Sequence, residues 1–207
     1  MTKQEETFTL IKRLKSLADI GMLYTQNEYD KERYAELLQI SYELLNNNTG
    51  EEITTLKNLY LQNKDYPTAK VDIRGLIIKD NTILLVKEMA DGKWSLPGGW
   101  ADVGYSPKEV IIKECKEETG LEVTTEKLLA VFDKKFHPHP PQPFYVYKMV
   151  FYCKAISTAI IKGFDVLDVQ YFDVNNLPEL SEDRILKDQL QLAFKIATTP
   201  GMPTYFE

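Results

Sequence analysis

Three glutamates near the middle of the chain, Glu114, Glu117 and Glu118, have the spacing of side chains that share one face of a helix. At about 100° per residue, their carboxylates fall within an arc of roughly 100°. Three like charges this close repel one another unless a cation neutralises them. Because Mg²⁺ and Mn²⁺ prefer carboxylate oxygens, the cluster predicts a divalent metal site. The alternative is an acidic helix face that is simply solvated.

The residues around the glutamates specify the helix that carries them. Ser106 suits the N-cap, Pro107 suits the first helical position, and Glu109 lies where it completes a capping box. Gly120 suits the left-handed position just after the last turn. The sequence therefore predicts a helix over residues 107–119.

Glycines lead into this helix. Gly98, Gly99 and Gly104 predict a loop whose backbone approaches a ligand closely and then turns sharply into the helix. A glycine loop, a capped helix and an arc of carboxylates are together typical of a site for a metal ion and a phosphate.

The segment from Gly99 to Leu121 resembles the signature sequence of Nudix hydrolases, which reads Gly-x5-Glu-x7-Arg-Glu-apolar-x-Glu-Glu-x-Gly-apolar. The match runs over the whole signature without a gap. The residues that fill it are Gly99, Glu114, Cys115, Glu117, Glu118, Gly120 and Leu121.

Two positions depart from the signature, since Tyr105 stands where the family has Glu and Lys113 stands where it has Arg. In the family these positions hold the loop and the helix in place through charge. Lys113 keeps the positive charge but lacks the planar fork of Arg donors. Tyr105 loses the negative charge and keeps a hydroxyl. We therefore expect a contact between Tyr105 and Lys113, and we expect activity to survive because the three glutamates are intact.

The resemblance implies an α/β (α+β) fold over residues 67–207, with a mixed sheet sandwiched by helices. The residue pattern agrees with it. Apolar and β-branched runs at residues 71–78 and 82–86 predict a hairpin, and the apolar segment 144–153 predicts a central strand. A last helix is expected near residues 186–197.

Residues 1–66 read as a small all-helical N-terminal region. Apolar stripes at helical spacing predict three helices, of which the third includes Ile53 and Tyr60. Because such helices must bury their stripes, we expect this region to serve in packing or dimerisation, and the chain to form a homodimer. A DNA-reading helix bundle is the alternative, but acidic residues outnumber basic ones in this region.

The Nudix resemblance also implies an activity, the hydrolysis of a nucleoside diphosphate linked to another moiety. Glu114, Glu117 and Glu118 would hold Mg²⁺ or Mn²⁺, joined by the backbone carbonyl of Gly98. The general base would be one of these glutamates or an acid from a distal segment, where Asp168 is preferred. The other acids of that segment are Asp165, Glu179 and Glu182.

The helical region before the signature and the segment from Lys134 to Pro141 narrow the resemblance to the bacterial Nudix group related to CDP-choline pyrophosphatase, often labelled ADP-ribose pyrophosphatases. This implies cleavage of CDP-choline to CMP and phosphocholine as the first candidate activity. ADP-ribose hydrolysis, processing of short RNA ends at the same metal site, and non-catalytic nucleotide sensing are the alternatives.

Base recognition usually needs an aromatic face and a few polar groups. The candidates for that face are Trp94, Trp100, Phe136 and Tyr147, and the candidates for contact with substrate phosphate are His137 and His139. Packing in the core or within the loop is the alternative for each. A metal role for the two histidines is disfavoured because no Cys or acid stands beside them.

The composition limits the partners. A formal net charge of −6 argues against duplex DNA or an anionic membrane, although a metal allows an acidic protein to bind a small nucleotide. No apolar run is long enough to span a membrane, and the first residues do not resemble an export signal. Two cysteines are too few for a disulfide framework, so we expect a cytoplasmic location.

Overall fold

The computed structural model describes residues 3–49, 52–55, 57, 69–140 and 146–207. The chain divides into two compact units, Met1–Pro67 and Thr68–Glu207.

The first unit contains two long helices, α1 (Lys3–Tyr24) and α2 (Glu28–Thr49). The Asn27 side chain caps α2, because its Oδ1 accepts a hydrogen bond from the Tyr29 amide at 2.9 Å. Ile11 of α1 packs with Tyr42 and Leu45 of α2 in a small buried core.

Helical structure continues at residues 53–55 and 57, where the third helix is expected. Ile53 packs against the same small core. The rest of the predicted third stripe, including Tyr60, lies outside the described residues.

The second unit is built on an eight-stranded mixed sheet. Its strands are β1 (Lys70–Lys79), β2 (Thr82–Glu88), β3 (Trp94–Ser95), β4 (Gly98–Trp100), β5 (Val123–Asp133), β6 (Val146–Ala155), β7 (Val166–Asp173) and β8 (Tyr205–Phe206). The main path runs β3-β2-β1-β6-β5-β8, with β4 paired to β1 and β7 paired to β2. β1 is parallel to β6 and β5 is parallel to β8, while the other pairs are antiparallel.

Helices α3 (Pro107–Thr119) and α4 (Lys187–Thr198) cover the two faces of this sheet. Ile77 of β1 packs in the core that contains Val110 and Cys115 of α3. The neighbouring Leu76 packs in the second core, which contains Leu190 of α4. Successive strand residues therefore feed opposite cores, as the pleat requires. The expected sheet between helices is confirmed.

Helix α3 begins and ends where the sequence predicts. The Ser106 hydroxyl accepts from the Glu109 amide at 3.3 Å, and the Glu109 carboxylate accepts from the Ser106 amide at 2.8 Å. This is a complete capping box. Gly120 ends the helix at φ 72°, in the left-handed region. The local signals are therefore strong enough to fix both ends of the helix.

Candidate active site

A cleft of about 270 Å³ opens between α3, the glycine strand β4 and the end of β5. Nine of its thirteen lining residues are charged. The lining is formed by Asp72, Arg74, Glu88, Gly98, Gly99, Trp100, Glu114, Glu118, Lys134, Val146, Asp165, Asp183 and Arg184. The cleft thus brings two of the three predicted glycines, Gly98 and Gly99, together with two of the three predicted glutamates.

Glu118 is the most buried of the three glutamates, with 5% of its surface exposed. Its carboxylate accepts a hydrogen bond from the backbone amide of Gly98 at 2.8 Å. Gly98 has φ 136°, and a Cβ at this position would lie 2.0 Å from the carbonyl oxygen of Ile73. Only glycine allows β4 to pack this closely on β1 at position 98. This close packing fixes the position of the Gly98 amide, which in turn orients Glu118.

Glu114 lies one helical turn before Glu118 and faces the same cleft. Burial raises the pKa of Glu118 to about 8, although Arg74 and the Gly98 amide act in the opposite direction. Burial also raises the pKa of Glu114 to about 7, against the charges of Lys113 and Arg74. A buried and a half-buried carboxylate whose pKa values are both raised are the donor set that a hard divalent cation would stabilise.

Glu117 occupies a different position from the other two. It does not line the cleft, its side chain is 48% exposed, and its carboxylate lies 3.7 Å from the ammonium of Lys113. Among the described residues, no three His, Cys, Asp or Glu side chains are close enough together to hold a metal. The structure therefore pairs Glu114 with Glu118 at the cleft and leaves Glu117 on the neighbouring face of α3.

A buried charge network forms part of the cleft wall, and the sequence did not predict it. Asp72 and Arg74 alternate on β1, and the Arg74 Nε lies 2.9 Å from the Asp72 carboxylate. Lys148 of β6 is fully buried and pairs with the other oxygen of Asp72. The Arg74 guanidinium also lies 3.5 Å from the carboxylate of Glu88 on β2. The available signal was the presence of charged residues inside otherwise apolar strands, since such residues are rarely buried without partners.

The network affects both the strands and the site. Because of Arg74 and Lys148, the pKa of Asp72 is lowered even though burial acts against this. Burial lowers the pKa of Lys148 to about 8. Arg74 also donates to the Leu96 carbonyl at 3.0 Å, just before the glycine strand. The guanidinium therefore joins β1, β2 and the loop before β4 to one another in the cleft that Glu114 and Glu118 also line.

The predicted aromatic candidates separate into two groups. Trp100 lines the cleft, at the edge of β4. Trp94 instead packs on the core of α4, with its ring 4.7 Å from that of Phe172. Phe136 is exposed outside the cleft, below the ammonium of Lys135 at 4.6 Å. Of the aromatic residues predicted from the sequence, Trp100 alone lines this cleft.

The two histidines are outside the cleft lining and make contacts within the protein. His137 donates from Nε2 to the Glu207 carboxylate at 2.8 Å. His139 donates from Nδ1 to the Glu182 carbonyl at 2.5 Å, and burial lowers its pKa to about 4. These contacts favour the loop-packing alternative for both residues.

Two further predictions concern acids and the altered signature positions. Asp168 lies on β7 outside the cleft lining, where its oxygens accept from the Val169 amide and the Gln170 side chain. Asp165 lines the cleft instead.

The expected contact between the two altered signature positions is present. The centroid of the Tyr105 ring lies 5.6 Å from the Lys113 ammonium.

Comparison with known proteins gives the family. Residues 69–192 match the NUDIX domain, and residues 5–60 match the UDP-X-like N-terminal oligomerisation domain. The chain belongs to the Nudix hydrolase family, and it is a pyrophosphohydrolase of that family. Nudix hydrolases generally use divalent metals, which fits the paired carboxylates of Glu114 and Glu118.

Several relatives extend over most of this chain. YjhB of Bacillus subtilis (strain 168), which carries a provisional ADP-ribose pyrophosphatase name, is 37% identical over 94% of both chains. An ADP-ribose pyrophosphatase of Methanocaldococcus jannaschii is 36% identical over 61% of this chain and 75% of its own.

Two solved structures are also similar. A UDP-X diphosphatase matches all of both chains at 33% identity and a TM-score of 0.66. An ADP-ribose pyrophosphatase of Streptococcus suis 89-1591 covers 68% of this chain and all of its own, at 33% identity and a TM-score of 0.61.

None of the helices in the described residues has the length and apolar character needed to cross a membrane.

Proposed function

We propose that the chain hydrolyses the diphosphate linkage of a nucleoside diphosphate joined to a second moiety, with Glu114 and Glu118 as the principal metal ligands. The observation that carries this proposal is the charge of the cleft. Six acidic side chains line it against three basic ones, and two of the acids are the buried glutamates of α3. A polyanionic substrate enters such a cleft only together with cations.

The metal would be held by the carboxylates of Glu114 and Glu118, with the Gly98 carbonyl as a further ligand. Glu117, on the neighbouring face of α3, would be a peripheral ligand. When bound, it would offset the charge of the diphosphate and lower the pKa of an attacking water. The protein's own contribution is orientation. The Gly98 amide holds one oxygen of Glu118 at 2.8 Å, which leaves the other oxygen for the cleft.

For the general base we propose Asp165 in place of Asp168. A base must lie within hydrogen-bond reach of the water that it deprotonates, directly or through one further water. Asp165 lines the cleft, whereas both oxygens of Asp168 accept hydrogen bonds outside it. Trp100 at the cleft edge is proposed to stack on the base of the nucleotide.

For the substrate we propose a nucleoside diphosphate with a small polar second moiety. The cleft volume of about 270 Å³ lies near the lower end of ligand pockets, so it would enclose the diphosphate and leave the outer groups partly exposed. ADP-ribose is the first candidate because two relatives and one similar solved structure carry that name, and a UDP derivative is the second. CDP-choline, predicted from the sequence, stays a candidate, while no named relative favours RNA.

We also propose that the first unit makes the protein a homodimer. The described part of α1 exposes apolar side chains at helical spacing, with Leu10 66% and Leu17 52% exposed. A stripe of this kind is typical of an interface, and the matching family is described as an oligomerisation domain. Light scattering after size-exclusion chromatography tests the dimer, with Leu10→Glu and Leu17→Glu expected to give monomers.

The substrate is tested with a panel of ADP-ribose, CDP-choline, a UDP-sugar and a short RNA, each with Mg²⁺ and with Mn²⁺. Products are separated by chromatography, and a reaction in H₂¹⁸O shows which phosphorus is attacked. A nucleoside monophosphate with a phosphorylated second moiety is the expected product pair. Release of mononucleotides from RNA alone would contradict the proposed substrate class.

A further inference from the structure

We propose that Lys134 binds a phosphate group of the substrate. The segment from Lys134 to Pro141 contributes this lysine to the cleft, while the predicted ligand-contact residues of the segment, Phe136, His137 and His139, lie outside the lining. The proposal rests on the diphosphate substrate class above and adds the protein group that recognises it.

Lys134 differs from the other two cations of the cleft in its partners. Arg74 is paired with Asp72 at 2.9 Å, and Arg184 is paired with Glu88 at 2.9 Å. Within the described part of the chain, Lys134 has no carboxylate at ion-pair distance, and its ammonium donates to the backbone carbonyl of Asp183 at 2.7 Å. An ammonium has three donors, so Lys134 keeps donors for an anion in the cleft.

Contacts on both sides of Lys134 fix its direction. Before it, the Asp133 amide donates to the Glu207 carboxylate at 2.8 Å. After it, His137 donates to the other oxygen of Glu207 at 2.8 Å. One side chain on the C-terminal side of β8 thus fastens both ends of the turn at residues 134–136. A charged group held in this way is oriented before the substrate arrives, as recognition of a phosphate requires.

Charge complementarity gives Lys134 its role. The glutamates of α3 and their metal would occupy one side of the cleft, and Lys134 reaches it from the end of β5. A diphosphate carries negative charge on two phosphate groups. A bound metal would neutralise only part of that charge. Lys134 would donate a charge-assisted hydrogen bond to a phosphate oxygen and act there as a point charge.

The neighbouring Lys135 supplies a matched control. It belongs to the same turn and carries the same charge, but its ammonium lies 3.1 Å from the Asp133 carboxylate and over the Phe136 ring, outside the cleft. Steady-state kinetics of Lys134→Met, Lys135→Met and Lys134→Arg are measured with ADP-ribose and Mn²⁺. We expect Lys134→Met to raise KM by roughly 10- to 100-fold, the range for a lost charged hydrogen bond.

Lys135→Met is expected to leave KM within about twofold of wild type, and Lys134→Arg to restore most of the affinity because it retains the charge. Equal KM values for the two methionine variants would overturn the proposal. Because Lys134 is only half-buried, its replacement should leave the protein folded. A cooperative thermal unfolding transition of each variant checks this.

A second measurement separates this proposal from the proposed activity. ADP is titrated into each Mn²⁺-loaded protein by calorimetry, which needs no turnover. Consider the case in which wild type hydrolyses no member of the panel and still binds ADP. In that case, a tenfold weaker ADP affinity in Lys134→Met, with the affinity of Lys135→Met unchanged, supports Lys134 as the phosphate-binding residue. Equal ADP affinities, or the absence of ADP binding to wild type, would reject it.

Discussion

The ammonium of Lys113 lies 3.2 Å from the carboxylate of Asp102, in the turn that precedes α3. The Nudix signature would place the acid at position 105 and an Arg at position 113. Here the centroid of the Tyr105 ring lies 5.6 Å from the Lys113 ammonium, and the acidic partner stands three residues earlier. The charge that joins the loop to the helix is therefore retained by a different residue, which accounts for both departures from the signature together.

This relationship predicts a measurable coupling between Asp102 and Lys113. Both side chains are about one-third exposed, so the pair should stabilise the fold by less than about 1 kcal/mol. Urea unfolding of Asp102→Asn, Lys113→Met and the double variant is expected to give a coupling of about 0.2–1 kcal/mol. The same cycle with Tyr105→Phe in place of Asp102→Asn should give a smaller coupling, because the ring contact survives. Strict additivity for Asp102 and Lys113 would show that the pair contributes nothing.

Gly98 is predicted to be the most sensitive glycine of the site. Its Cβ would lie 2.0 Å from the Ile73 carbonyl, so Gly98→Ala should displace β4 and the amide that orients Glu118. We expect a loss of at least about 3 kcal/mol in unfolding free energy, or no folded protein. Gly92→Ala is the matched control, since Gly92 also has positive φ but has no atom within 4 Å of its added Cβ. That variant should lose only about 1 kcal/mol, and similar losses for both would refute the steric explanation.

The raised pKa values of the two cleft glutamates predict how stability depends on pH without metal. Glu118 in the folded state binds its proton up to about pH 8, whereas in the unfolded state it releases it near 4.5. The folded state therefore binds more protons, and stability falls as pH rises. His139, with its pKa lowered to about 4, acts in the opposite direction only below about pH 6.5. Between pH 6.5 and 8 we expect a loss on the order of 1–2 kcal/mol.

Metal should remove this pH dependence. Ligation requires ionised carboxylates, so added Mn²⁺ is expected to stabilise the protein more at pH 8 than at pH 6.5. Glu118→Gln is the control, because an amide does not titrate and should flatten most of the slope without metal. Chemical unfolding at each pH checks the prediction. A wild-type slope that matches the Glu118→Gln slope would contradict the assignment to Glu118.

The acid that serves as general base can be located by comparing two neighbours in sequence. Asp165→Asn is expected to lower kcat by at least about 10-fold, since general base catalysis typically contributes 10²–10⁴. Asp168→Asn should leave kcat within about threefold of wild type, because Asp168 lies outside the cleft. Both are measured at saturating Mn²⁺ and ADP-ribose. A large loss of kcat in Asp168→Asn alone would reverse the two assignments.

Local sequence signals identified α3 and its glycine loop because their determinants are close in sequence. The capping box of Ser106 and Glu109 and the C-terminal Gly120 act within one helix, so both ends could be predicted. The grouping of Glu114 with Glu118 also follows from helix geometry. The outward position of Glu117 depends on where the sheet lies against α3, which helical periodicity does not specify.

The rest of the site depends on contacts between distant strands. Asp72 meets Lys148 only because β1 runs parallel to β6 in a register that places the two residues side by side. Lys134 reaches the cleft because β5 ends there, and Glu207 fastens its turn from the far end of the sequence. Trp94 was equally hard to assign, since its role in the core depends on Phe172 of β7. Residue type alone does not distinguish a tryptophan in the core from one at a ligand.

The most direct test of the account is the Mn²⁺-dependent hydrolysis of ADP-ribose by wild type, Glu118→Gln and Glu122→Gln. Glu122 is an exposed acid just after α3 that pairs with Lys116, so it serves as the matched control. We predict that Glu118→Gln lowers kcat by at least about 100-fold, while Glu122→Gln keeps a kcat near that of wild type. A loss of that size exceeds what is typical when a residue that only contacts a metal ligand is replaced. Wild-type turnover that survives EDTA, or Glu118→Gln turnover equal to that of Glu122→Gln, would contradict a metal site at Glu114 and Glu118.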